Sequence, residues 1–270
     1  SASGSRVDPA KRYTQGMELL KAGNFKQAEK AFDDVLDAAP KDPSSNFMMS
    51  LTQIGQQDFE QARKYLRLTV KYDANNVGAR GWLGSVEAKL GDAGKAAEQK
   101  TALEAAKAKC AGTCPEAKAI DAGLARIDLY SATPASPMQL SGDLAHFASA
   151  KDGDASYLQA SGLINEGRYE DALWSLKDAA LALGPHPDVL TYQGFANRKL
   201  HNYDVAVSYY SAALKLAPDH RGANEYLGEY YVETGQIAKA KQQLVKLDTI
   251  CKFGCEEAEE LRRWIAGGHS

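Results

Sequence analysis

The sequence predicts an all-α protein built from repeated pairs of helices. An alanine recurs every 34 residues in each half of the chain, as Ala28, Ala62 and Ala96 and again as Ala172, Ala206 and Ala240. Another small residue stands twelve positions before each alanine: Gly16, Ser50, Gly84, Ala160, Gly194 and Gly228. Two helices that cross closely need small side chains where their backbones meet, so we expect these residues at the crossings. Pro40 and Pro218 are expected to end second helices.

The composition is that of an ordinary soluble globular chain and excludes several functions. Of 270 residues, 44% are hydrophobic and 25% charged, and the net charge of -3 gives no reason to expect nucleic acid or an anionic membrane as a partner. No apolar run reaches the roughly 18 residues that a membrane span needs. The five histidines are scattered, and there is no Gly-rich phosphate loop or nucleophile elbow. We therefore expect no enzyme activity, no cofactor and no metal.

The stretch "GANEYLGEYYVETGQIAKAKQQL" carries the repeat most clearly. Leu227, Gly228, Tyr231, Gly235 and Ala240 stand in it where the tetratricopeptide repeat (TPR) has its motif residues. The 34-residue unit resembles that family. The resemblance implies a right-handed α-solenoid of helix–turn–helix units, with repeats at 9–42, 43–76, 77–110, 153–186, 187–220 and 221–254.

Each run of three repeats ends in a cysteine pair and one further helical stretch. These stretches are "PEAKAIDAGLARIDL" and "EEAEELRRWIA", each with apolar residues on one face, as expected of a helix that caps a solenoid. The protein is thus predicted to be a tandem duplication, and with its cysteine pairs it resembles bacterial exported TPR proteins. The predicted segments are a tag or disordered tail at 1–8, a first array with cap at 9–129, a linker at 130–150 and a second array with cap at 151–266.

The linker contains "YSATPASPMQLSGD", which is rich in Pro and Ser and is typical of a hinge. We expect few contacts from Thr133 to Ser141, and a short helix from Leu144 to Ala150. The first residues, "SASGS", are interpreted as a trimmed tag, and we expect that any signal peptide has been removed.

Cys110 and Cys114 bracket a turn, as do Cys251 and Cys255. Because such a turn can bring two Cα atoms within disulfide range, we predict two local disulfides. Zinc, a redox role and reduced packing cysteines are the alternatives. Zinc is disfavoured because the pairs are far apart in sequence and no histidine is near either. Paired cysteines indicate an oxidising compartment, hence a periplasmic or otherwise exported protein. A cytosolic scaffold with reduced cysteines is the other interpretation.

The resemblance also implies a binding surface, because TPR arrays bind through a concave face lined by first helices. In the chaperone-binding subfamily, Lys, Asn and Arg on that face clamp a terminal carboxylate. The corresponding places are Tyr13, Met17, Met48, Gly78 and Trp82 in the first half, and Tyr157, Ser161, Tyr192, Gly222 and Tyr226 in the second. None is a clamp residue, so capture of a C-terminal carboxylate is disfavoured.

Aromatic residues or methionine take these places instead. The predicted groove residues are Tyr13, Met48, Trp82, Tyr157, Tyr192, Phe195 and Tyr226. A Tyr-rich surface suits apolar or aromatic segments of a partner. We therefore predict a non-enzymatic adaptor or scaffold that binds a protein segment or an envelope-complex partner. The alternatives are a carrier or sensor of a small apolar ligand such as a lipid, and packing of these side chains between repeats.

Overall fold

The computed structural model describes residues 7–140, 142 and 144–268. The chain divides into two compact units, Ser1–Phe147 and Ala148–Ser270. The described part of the first unit contains seven α-helices: α1 Pro9–Lys21, α2 Phe25–Ala38, α3 Pro43–Gly55, α4 Phe59–Tyr72, α5 Val77–Lys89, α6 Ala93–Cys110 and α7 Ala117–Ala132. A 3₁₀ turn, Leu144–His146, follows them.

The described part of the second unit repeats this order. Its helices are α8 Ala150–Asn165, α9 Tyr169–Leu183, α10 Pro187–Lys199, α11 Tyr203–Leu216, α12 Arg221–Glu233, α13 Ile237–Ile250 and α14 Glu256–Ile265. No strand occurs in the described residues of either unit. In each unit three antiparallel helix pairs are stacked and a single further helix follows, so the predicted all-α solenoid is confirmed.

Local sequence explains where the first helices begin. Asp8, Asp42 and Asn76 each precede a first helix, and their side chains accept hydrogen bonds from backbone N–H groups of its first turn. Pro9 and Pro43 occupy the first helical position, where no N–H donor is needed. Asp8 is therefore an ordered cap at the end of the predicted N-terminal tail, whereas residues 1–6 of that tail lie outside the described residues.

The recurrent alanines and small residues lie where two helices cross, as predicted. All six alanines are buried, with at most 2% of their surface exposed. A Cβ added to Gly16 would lie 2.7 Å from the Phe32 ring, and one added to Gly194 would lie 2.6 Å from the Tyr210 ring. A larger side chain at either position would push the two helices of the pair apart.

The cap helices α7 and α14 bury the faces that the sequence predicts. Ile120 and Ile127 pack into the core of the first unit, and Ala258 and Leu261 into that of the second. The start of α7 differs from the prediction, because Pro115 precedes the helix instead of occupying its first turn. Two left-handed residues, Ala111 and Gly112, form the turn there, which delays the helix.

The predicted hinge makes more contacts than expected. Met138 is 0% exposed and Leu140 5% exposed, and both belong to the first unit. The expected helix from Leu144 to Ala150 is only the 3₁₀ turn, after which Ala150 begins α8. The expectation of few contacts was wrong for Thr133–Leu140, because apolar side chains and backbone carbonyls of this segment find partners in the first unit. Ser141 lies outside the described residues.

Candidate functional site

In the second unit, the predicted aromatic residues come together on the first helices α8, α10 and α12. Tyr157 of α8 stacks on Tyr192 of α10, with ring centroids 5.3 Å apart and planes 16° apart. Phe195, one turn further along α10, lies 4.7 Å from the Tyr226 ring of α12. All four side chains are only partly buried. We call these four residues the aromatic ladder, since they form a row across three successive repeats.

Burial of the ladder hydroxyls alters their acidity. Burial, and then the neighbouring hydroxyl of Tyr192, raises the pKa of Tyr157 well above its usual value. The pKa of Tyr226 is raised by burial and then by Glu225 and Tyr192. The hydroxyls therefore stay protonated at neutral pH, and each can donate a hydrogen bond while its ring offers apolar surface.

A buried arginine lies beneath the ladder. The Arg198 side chain of α10 is 0% exposed, and its guanidinium donates to Glu229 over 2.5 Å and to Glu233 over 2.9 Å. The same group lies 5.3 Å from the Phe195 ring, 5.8 Å from the Tyr226 ring and 5.3 Å from the Trp264 ring of α14. Arg198 thus fixes two ladder rings through cation–π contacts while two carboxylates neutralise its charge.

Sequence reasoning missed this network, although one signal was present. Glu225, Glu229 and Glu233 are spaced four apart, so α12 carries a row of carboxylates along one face. An all-acidic row on a helix that packs against neighbours has to be neutralised, either by a buried cation or by protonation. The spacing of these glutamates alone does not identify Arg198 as the residue that provides the positive charge.

Glu225 continues this row beyond the reach of Arg198. The residue is only 9% exposed, and burial, followed by the charge of Glu229, raises the pKa of its carboxyl far above the usual range. Glu257 and Glu260 on α14 shift it in the same direction. Burial thus favours the neutral form of the Glu225 carboxyl, which hydrogen-bonds the Glu229 carboxylate.

The corresponding residues of the first unit do not form an open surface. Tyr13 and Met48 are 0% exposed and Trp82 is 6% exposed. Tyr13 packs edge-on against Phe32, with centroids 5.7 Å apart, and the Arg126 guanidinium covers the Trp82 ring at 3.8 Å. The expected accessible groove is thus absent at these three residues, because side chains of neighbouring helices, such as Phe32 of α2 and Arg126 of α7, pack against them.

Both cysteine pairs lie at disulfide distance. The Cα atoms of Cys110 and Cys114 are 5.1 Å apart, and those of Cys251 and Cys255 are 5.8 Å apart. Gly112 and Gly254 have positive φ angles of 74° and 88°, which lets each turn close between its two cysteines. Each link joins the last helix pair of a unit to its cap helix.

The described residues contain neither a metal site nor a membrane-spanning helix. Across residues 7–140, 142 and 144–268, no group of three or more His, Cys, Asp or Glu side chains is arranged to hold a metal ion. None of the helices in that part of the chain combines the length and the apolar character that a bilayer span requires.

Stacked helix pairs with small residues at each crossing define the class of helical-repeat solenoids. Within that class, residues 19–77 match one tetratricopeptide-repeat family model and residues 187–220 match another. The repeat architecture of the chain is that of the tetratricopeptide-repeat family, as the resemblance predicted. The described residues contain six helix pairs, and the family models match part of them.

Solved structures similar to this chain include the following three. The TPR2AB domain of yeast Sti1, in its pHSP90 complex, is 13% identical, with 96% of this chain and 98% of that one covered and a TM-score of 0.41. YrrB, a TPR protein with an unusual peptide-binding site, is 16% identical over 87% and 99% of the two chains, with a TM-score of 0.38. PilW, a type IV pilus biogenesis factor, is 15% identical over 84% and 85%, also with a TM-score of 0.38. A comparison with curated protein sequences found no match.

Proposed function

We propose that the protein is a non-enzymatic adaptor, and that its second unit binds a protein segment along the aromatic ladder. TPR proteins bind protein or peptide partners, so an adaptor role follows from the family. The observation that supports the specific surface is the row of four partly exposed rings on α8, α10 and α12. Rings held in place before binding lose little conformational entropy when a partner docks, which favours affinity.

The chemistry around the ladder favours one kind of partner. The rings offer apolar contact, and the Tyr hydroxyls offer hydrogen-bond donors to backbone carbonyls. The nearby carboxylates of Glu229 and Glu233 are paired with Arg198. The Lys199 ammonium lies 5.4 Å from the Phe195 ring. A segment with aromatic or aliphatic side chains therefore fits the rings best, and an acidic group beside it could pair with Lys199.

A displayed library of random twelve-residue peptides provides a direct test. Peptides selected on the full chain should be rich in apolar residues, and the Tyr192→Ala/Tyr226→Ala variant should bind them at least about tenfold more weakly, since aromatic anchors each contribute about 2 kcal/mol or more. Trp174→Ala is the matched control, because Trp174 is a 39% exposed aromatic on the second helix α9 of the same unit. It should leave binding unchanged.

Two results would count against the proposal. If the selected peptides bind the double variant as well as the unaltered chain, the surface lies elsewhere. If no peptide is selected but a fluorescent fatty acid binds in a Tyr192-dependent way, the ligand is a small apolar molecule. The cavity in the first unit gives no support to that alternative, because Arg67, Lys71 and Glu87 are among the residues that line it.

We further propose that the protein works in an oxidising compartment, such as a bacterial periplasm. The support is that both cysteine pairs lie at disulfide distance and that the described cysteines leave no free thiol. A thiol titration of protein prepared from its native host, without reductant and with free thiols blocked at lysis, should find no reactive thiol. Four reactive thiols would instead indicate the cytosolic scaffold.

A further inference from the structure

The middle first helix of the first unit, α3, is buried on every side. All its residues from Ser45 to Ile54 are buried, including polar ones such as Gln53. The corresponding helix of the second unit, α10, keeps Tyr192 and Phe195 partly exposed. Neighbouring repeats cover the flanks of a first helix, and a further part of the first unit also contacts α3 and the turn that follows it.

Residues 133–140 and 144–147 are that part, and we call them the strap. Gln57, two residues after the end of α3, donates from Nε2 to the Met138 carbonyl over 3.1 Å. Lys89, at the end of α5, donates from Nζ to the carbonyls of Pro134 over 3.0 Å and of Ser136 over 2.8 Å. The strap thus begins across the C-terminal ends of two first helices.

The other end of the strap lies on the N-terminal part of the same surface. The Leu144–His146 turn contacts α1, and the Phe147 ring packs edge-on against Phe47 of α3, with centroids 6.4 Å apart. The two described parts of the strap thus contact the region of α3 at both of its ends, and together they touch the first helices of all three pairs.

The strap has the geometry of a bound peptide more than that of a helix connection. Pro137 and Gln139 are exposed while Met138 and Leu140 are buried, which is the alternation of an extended chain. Its backbone carbonyls accept hydrogen bonds from fixed side chains, including the Tyr130 hydroxyl, which donates to the Pro137 carbonyl over 3.0 Å. Folded domains recognise extended peptides in the same way: they bury alternate side chains of the peptide and hydrogen-bond its main chain.

We propose that the concave face of the first unit is a peptide-binding surface, and that the strap occupies it as an internal ligand. The occupant it accepts is an extended segment with two apolar side chains at positions i and i+2, as in Met138 and Leu140. A partner segment of that pattern has to displace the strap in order to bind. Because the strap is tethered, its effective concentration is on the order of millimolar, so it excludes weak competitors.

The test uses a fluorescent peptide with the sequence of residues 132–140 and the full-length chain. In the Met138→Ser/Leu140→Ser variant the strap loses both anchors, so the peptide should bind in trans and raise the fluorescence anisotropy. The unaltered chain should bind at least about tenfold more weakly, because the strap competes. A peptide with both anchors changed to Ser is the matched control and should not bind.

Two added variants locate the binding. Adding Gln57→Ala and Lys89→Ala to the strap variant removes the carbonyl donors and should weaken peptide binding. Adding Tyr192→Ala and Tyr226→Ala should leave it unchanged, so this experiment can fail without affecting the proposal for the second unit. Equal binding to the strap variant and the unaltered chain, or no binding to a strap variant that circular dichroism shows to be folded, overturns the internal-ligand proposal.

If the strap variant does not fold, hydrogen exchange on the unaltered chain decides. An internal ligand detaches without unfolding its site, so amides of residues 138–140 should exchange at least about tenfold faster than the slowest amides of α3. Exchange at the same rate would show that the strap opens only with the whole unit, and would overturn the proposal.

Discussion

The concave surfaces of the two units differ although the repeats that form them correspond residue for residue. Tyr13, Met48 and Trp82 are core residues of the first unit, whereas Tyr157, Tyr192 and Tyr226 are partly exposed in the second. The repeat register places each of these side chains on a first helix. It does not determine whether solvent reaches them, because that depends on what lies across the face. The position of a residue in the repeat therefore predicts that it lies on a first helix, but it does not show that the residue binds a ligand.

The cap helices show a related difference. A Cβ added to Gly81 of α5 would lie 2.8 Å from the Gly123 Cα of α7, so these two helices meet backbone to backbone. The second unit has Glu225 in the place of Gly81, and Trp264 stands where the spacing from the second cysteine puts Gly123. With larger groups on both sides, α12 and α14 leave room for the Arg198 network. In the first unit two glycines let the cap helix pack closely on α5. In the second unit the Arg198 network occupies the corresponding space between α12 and α14.

The largest effect that distinguishes the units should come from Arg198. Its counterpart in the first unit is Ile54, which is fully buried and apolar. Arg198→Ala leaves Glu229 and Glu233 without their cation, and removing one partner of a buried ion pair costs about 3–5 kcal/mol of unfolding free energy. Chemical denaturation should show this loss at neutral pH. The double variant Arg198→Met/Glu229→Gln removes the cation and the more deeply buried of its two carboxylates, leaves only the 20% exposed Glu233, and should recover a large part of it.

The Arg198 effect should also depend on pH in a definite direction. Burial raises the pKa of Glu229, and Arg198 opposes that rise. Without Arg198 the folded-state pKa is higher still, so the variant loses stability relative to the unaltered chain as pH rises through that range. The deficit should be smaller at pH 5 than at pH 8. A deficit that is the same at both pH values would mean that Arg198 acts through packing alone.

How much of this was predictable from sequence differs between fold and surface. The 34-residue period and the small crossing residues predict the helix pairs because both express local geometry that every repeat needs. Arg198 was missed because its carboxylate partners lie on a different helix, and no local pattern records that pairing. The strap was missed because Pro134 and Pro137 are typical of an exposed linker. The signal that was overlooked is the spacing of Met138 and Leu140 by two residues, which is typical of an extended, half-buried chain.

A smaller effect tests the comparison at one matched position. Met48 and Tyr192 occupy the same place in corresponding repeats, but Met48 is 0% exposed and Tyr192 is partly exposed. Met48→Ala should lower the unfolding free energy by about 2–5 kcal/mol, because it leaves a cavity in a packed core. Tyr192→Ala should cost less, since solvent already reaches that ring and can fill the space. Chemical denaturation of the two single variants measures both values on the same full chain. If Tyr192→Ala costs as much as Met48→Ala, the ladder is core in both units, and the difference in exposure on which the proposed binding surface depends has no energetic basis.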